Sequence, residues 1–149
     1  MDGPRDDTRR FPAPWLVIPG SVAIVAAFFF GTLFVFNMMD ERARDTQRTA
    51  DVKLLKSALE RYHEARGAYP QFPDNFVDDL KTALVDSGYL RGIPHDPLAG
   101  GAYRYTTSGA SDGQGYGLKV GLERSGDCLT GVRTAGTGWW GGKLPDCPF

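Results

Sequence analysis

The chain has 149 residues, with 17 Lys and Arg against 18 Asp and Glu, a formal net charge of −1. That length allows one small domain beside an anchor, and the balanced charge excludes a nucleic-acid surface built on a basic patch.

Residues 1–14 read as a short polar tail in which Arg5, Arg9 and Arg10 face Asp2, Asp6 and Asp7. An apolar run follows over 15–39, and Leu16 to Phe36 contains no ionisable side chain. A helix rises about 1.5 Å per residue, so about 20 such residues suffice to cross a hydrocarbon core. The run is longer than a signal-peptide core, and Phe28, Phe29 and Phe30 stand where a cleavage site wants small residues. A retained transmembrane helix is therefore expected, with Pro12, Pro14 and Trp15 at its cytoplasmic interface. Gly20, Ala23, Ala27 and Gly31 are small enough for helices to approach closely in lipid.

Asp40 to Arg66 continues as helix without a Gly or Pro break. Val52, Leu55, Leu59 and Tyr62 recur at helical spacing and form a core-facing stripe, while Arg44, Arg48, Lys53, Glu60 and Glu64 are placed mostly off it. Gly67 and Pro70 end the helix. Anchor and stripe together predict one helix of roughly 45 residues. Asp74 is the expected N-cap of a short helix reaching Asp86, with Phe76, Leu80 and Leu84 on its buried face. The connector Ile93-Pro94-His95-Asp96-Pro97 is stiff because each proline fixes its own φ and restricts its predecessor.

Beyond it the period changes to two. Tyr103-Arg104-Tyr105-Thr106 and Tyr116 to Glu123 read as strands joined by a Gly- and Ser-rich turn, and a third strand is expected near Leu129 to Arg133. Cys128 and Cys147 lie 19 positions apart. In an oxidising compartment they close a loop; in a cytosolic domain they would be free thiols. The Gly-rich tail between them has little else to order it, which favours the disulfide and places 40–149 outside the cytoplasm. Trp139 and Trp140 are either a partner patch or a cover over the sheet.

Arg44-Asp45-Thr46-Gln47-Arg48, Asp51, Leu54-Leu55, Ala58-Leu59, Tyr62, Gly67, Tyr69-Pro70, Gly88-Tyr89-Leu90, Pro94-His95-Asp96-Pro97 and Tyr103-Arg104-Tyr105 occur in this order. This resembles the periplasmic half of type IV pilin-like proteins, particularly the G-type pseudopilins of type II secretion. The resemblance implies an α+β fold, with a long transmembrane-plus-periplasmic helix packed on a small antiparallel sheet. It also implies a disulfide-bounded C-terminal loop and a structural role in a filament drawn from the inner membrane. Its N-terminal half departs from the pattern: Phe11 follows Arg10 rather than Gly, and no Glu interrupts the apolar run.

For sites of chemistry, no catalytic residue is expected. Glu60 and His63 make only half of a di-iron helix motif, and His95 sits in a proline-flanked turn. The resemblance implies a calcium loop, for which Asp112 is the one local carboxylate. The expected function is therefore a non-enzymatic, membrane-anchored structural or assembly subunit, partnered with copies of itself or other pilin-like or membrane subunits. It would sit in the inner membrane with a cytoplasmic N-terminus. The alternative is an uncleaved single-pass accessory subunit docked in a larger membrane complex.

Overall fold

The computed structural model describes residues 14–72, 75–107, 112–133 and 143–149, with the side chains of 14–21 and of Asn75 left out. Two compact units divide the chain, Met1–Met39 and Asp40–Phe149. Helix α1 runs over Pro14–Arg66, 53 residues, longer than the roughly 45 expected. Among the described residues one helix is long and apolar enough to cross a membrane. In the first unit its large apolar side chains, from Val22 to Met39, are exposed. The helix ends as its sequence requires. Gly67 takes φ +76°, a left-handed conformation that glycine adopts without strain, and its N–H donates to the His63 carbonyl at 2.7 Å.

In the second unit, strands β1 (Asn75–Phe76), β2 (Arg104–Thr106), β3 (Tyr116–Leu122) and β4 (Gly126–Val132) form an antiparallel sheet in the order β1-β2-β3-β4. Each strand pairs with its sequence neighbour; Arg104 lies opposite Lys119 and Val120 opposite Cys128. Tyr116, Leu118, Val120 and Leu122 alternate along β3 and are all buried. They meet Val52, Leu55, Ala58 and Leu59 of α1, which are buried at i, i+3, i+6 and i+7. The result is an α+β domain, a long helix packed on a small antiparallel sheet, with a pilin-like topology.

The segment after residue 72 differs from expectation. Residues 75–76 are strand, Val77–Leu80 is a 3₁₀ turn, and helix α2 covers only Lys81–Leu84. Asp74, the expected N-cap, lies outside the described residues. Pairing with β2 holds 75–76 extended, and the Val77 N–H donates to the Tyr103 carbonyl at 3.1 Å, so coiling cannot begin earlier. Phe76 is corrected in consequence: it is 40% exposed, outside the core, with the Arg104 guanidinium 3.3 Å from its ring centre. Val77, Leu80 and Leu84 are the buried residues here.

Cys128 and Cys147 form a disulfide with their Cα atoms 4.9 Å apart. The returning chain pairs in parallel with β4 at this point. Leu129 N–H donates to the Pro145 carbonyl at 2.9 Å, and Cys147 N–H donates to the Leu129 carbonyl at 3.0 Å.

Candidate functional site

The most concentrated polar feature of the head is an ionic clasp between α1, the proline-rich connector and the β3–β4 turn. Arg48 is its centre. It lies one helical step before Val52 on the core stripe, so its guanidinium enters the domain instead of the solvent, and only 2% of the residue is exposed. Its Nε and Nη2 donate to Oδ2 and Oδ1 of Asp96, both at 2.8 Å, the two-pronged geometry that a planar guanidinium makes with a carboxylate. Its Nη1 donates to Asp45 Oδ1 at 2.9 Å and Glu123 Oε1 at 2.8 Å. Arg44 holds both oxygens of Glu123 at 2.7 Å from one turn earlier.

The carboxylates are themselves anchored. Asp96 Oδ1 accepts the Leu98 N–H at 2.8 Å, closing the turn between Pro94 and Pro97. A Cβ built on Gly101 would fall 2.5 Å from Asp96 Cγ, so glycine is what lets the connector fold onto its own carboxylate. Asp45 accepts the Glu123 N–H at 2.9 Å and the Arg124 N–H at 3.2 Å, and so ties the β3–β4 turn to the helix.

The clasp keeps its charges. Hydrogen bonds from Arg44 and Arg48 pull the Glu123 carboxyl down to about 2. Arg48 likewise holds Asp96 below the usual carboxylate range against its burial, and the paired carboxylates raise Arg48 itself. The clasp groups therefore stay charged near neutral pH, suited to joining segments.

The head also holds four buried tyrosines, Tyr69, Tyr103, Tyr105 and Tyr116. Tyr69 Oη donates to Glu60 Oε2, Tyr103 Oη to Asp51 Oδ2 and Tyr105 Oη to the Pro70 carbonyl, each at 2.8 Å. Burial and Glu60 push the Tyr69 phenol up to about 12. Burial also raises Tyr103, Tyr105 and Tyr116. The buried Tyr116 hydroxyl has no hydrogen-bond partner among the described residues.

The sequence-predicted residues fall as follows. Val52, Leu55, Leu59, Leu80 and Leu84 are in the core, and Tyr62 packs partly buried against it. Ala23, Ala27 and Gly31 are exposed on α1, while the surroundings of Gly20 lie outside the described residues. Trp139 and Trp140 also lie outside them. Asp112 accepts the Gln114 N–H with Oδ1 and pairs through Oδ2 with Arg133, each at 3.0 Å. Both of its oxygens are thus engaged, and among the described residues no three His, Cys, Asp or Glu side chains are grouped to hold a metal ion. His63 bonds through Nε2 to Gln114 Oε1 at 2.9 Å, and Glu60 serves Tyr69, so that helix pair is used within the head. His95 pairs with Asp78 at 3.3 Å on the surface.

Arg48, expected with the charged residues mostly off the core stripe, is corrected: it stands on that stripe, buried, and its clasp is not among the expected features. Its signal was the spacing: 48, 52, 55, 59 and 62 form one stripe, which places a charged residue at a core position. No family model, curated protein or solved structure significantly matches this chain.

Proposed function

We propose that this protein is a membrane-anchored, pilin-like structural or assembly subunit of a type II secretion or type IV pilus-like system, acting by association and not by catalysis. One observation carries the reading. A single helix, α1, bears exposed apolar side chains up to Met39 and then, without interruption, the stripe that forms the core of the head. Exposed aromatic and aliphatic residues over such a length need lipid or other helices around them. Ala23, Ala27 and Gly31 would let neighbouring helices approach closely within the bilayer. The disulfide favours a head on the oxidising side of an inner membrane, with the N-terminus in the cytoplasm. The ordered series of residues from Arg44 to Tyr105 favours pilin-like subunits as neighbours.

The alternative is an accessory subunit that stays uncleaved and docks within a larger membrane complex. The absence of a Glu in Leu16 to Phe36, and Arg10 before Phe11, favour it. Purification from native membranes under mild solubilisation separates the two. Recovery in a filament or homo-oligomer fraction supports the assembly subunit, and a stoichiometric complex with unrelated membrane proteins supports the accessory subunit. Recovery as a monomer free of the membrane contradicts both.

A further inference from the structure

An open cleft of about 580 Å³ lies where the start of the head's helical segment meets the β3–β4 turn. Arg42 and Arg124 stand on its rim with Ser125, and Leu122 and Phe149 give it an apolar wall. Arg44 and Arg48 are consumed by the clasp, but the guanidiniums of Arg42 and Arg124 make no ion pair or hydrogen bond among the described residues. Asp45 borders the same cleft, yet its oxygens are committed to Arg48 and to the amides of Glu123 and Arg124. Thr46 and Thr49 donate their hydroxyl hydrogens to carbonyls one turn back. Two guanidiniums and the Ser125 hydroxyl are therefore the donors free to meet a ligand. Asp40 and Glu41 are close in sequence but do not line the cleft.

We propose that this cleft binds the phosphate of an anionic phospholipid headgroup, with Arg42 and Arg124 as its ligands and Leu122 and Phe149 against the glycerol and the first acyl carbons. The proposal rests on the membrane-anchored reading. Arg42 follows the last residue of the apolar run, Met39, by three positions in the sequence. A residue this soon after a spanning run belongs to the headgroup region. Guanidinium forks match phosphate oxygens in pairs, and basic side chains beside a span are drawn to anionic lipid. The apolar wall suits a lipid better than a fully hydrated anion.

The test is native mass spectrometry of the full-length chain in neutral detergent, titrated separately with phosphatidylglycerol, phosphatidylcholine and inorganic phosphate. Phosphatidylglycerol is expected to bind about tenfold more tightly than phosphatidylcholine. The preference is expected to vanish in the R42Q/R124Q double variant and to persist in Arg91→Gln, an exposed arginine outside the cleft. Near-ultraviolet circular dichroism checks that each variant is folded. Equal binding of the two lipids, or a preference that survives the double substitution, overturns the proposal. Inorganic phosphate competing as tightly as the lipid also overturns it and assigns the cleft to a soluble anion. Failure of the anchoring reading is separate, since it shows as a chain absent from the membrane fraction of cells.

Discussion

Arg48 grips Asp96 across 48 positions of sequence through two hydrogen bonds of 2.8 Å, and both side chains are almost fully buried. The pair fixes where the proline-rich connector crosses α1. Removing one partner leaves the other charge buried and uncompensated. Arg48→Ala and Asp96→Ala are each expected to lower stability by about 3–5 kcal/mol, with the double variant well short of their sum. Arg48→Lys keeps the charge but loses the fork, so it should fall between wild type and Arg48→Ala. Urea unfolding of the detergent-solubilised full chain measures all four. Additive single effects would show that the two residues act separately.

Acid should loosen the same clasp. Glu123 titrates at about 2 in the folded chain, and Asp96 is depressed as well, whereas an unfolded Glu titrates near 4.3. The unfolded state therefore takes up these protons first. The stability that the two carboxylates supply is fully present above the unfolded value and is lost as pH falls through the folded one. Unfolding midpoints should be level from about pH 7 to about pH 5, then drop from about pH 4 toward 2. In Glu123→Gln that drop should be shallower. An acid limb unchanged by the substitution would remove Glu123 from its cause.

Leu59 and Phe76 both stand on faces that the sequence pattern predicts to be core, yet only Leu59 is buried. Leu59→Ala should cost about 2–5 kcal/mol, as expected for truncation in a packed interior. Phe76→Ala should cost about 1 kcal/mol, the scale of a half-exposed ring under a guanidinium. Thermal unfolding of the two variants side by side decides the matter; a Phe76 loss matching that of Leu59 would return it to the core.

The disulfide holds the C-terminal return against β4. Closing a loop of 19 positions is worth about 3 kcal/mol on the chain-entropy estimate. The C128S/C147S variant should unfold at a correspondingly lower temperature, and amide exchange should quicken at Leu129 and Cys147, whose N–H groups pair the two segments. Unchanged exchange there would show that the backbone pairing stands without the crosslink.

The elements that could be read from sequence were those whose pattern is local. The stripe Val52, Leu55, Leu59 and the alternation of Tyr116, Leu118, Val120 each repeat within one element, and the period alone told helix from strand. The stop at Gly67 was equally local. The segment around Phe76 was misread because its conformation is set by partners, Arg104 and Tyr103, from another part of the chain. The clasp was missed for a related reason. Charge normally marks a solvated position, and what makes Arg48 an interior residue is carboxylates 48 and 75 positions away. The spacing to Val52 was visible, but not the partners that make such burial tolerable.

The proposed self-association of α1 in a membrane is tested most directly by crosslinking. Cys128 and Cys147 are paired, so single cysteines can be placed one at a time from Ala23 to Phe34 in the full-length chain, and disulfide-linked dimers measured in native membranes. The expected result is a periodic pattern, with crosslinks on the face of Ala23, Ala27 and Gly31 and weak ones opposite. Monomer at every position, at native expression and with the chain retained in the membrane, would contradict it.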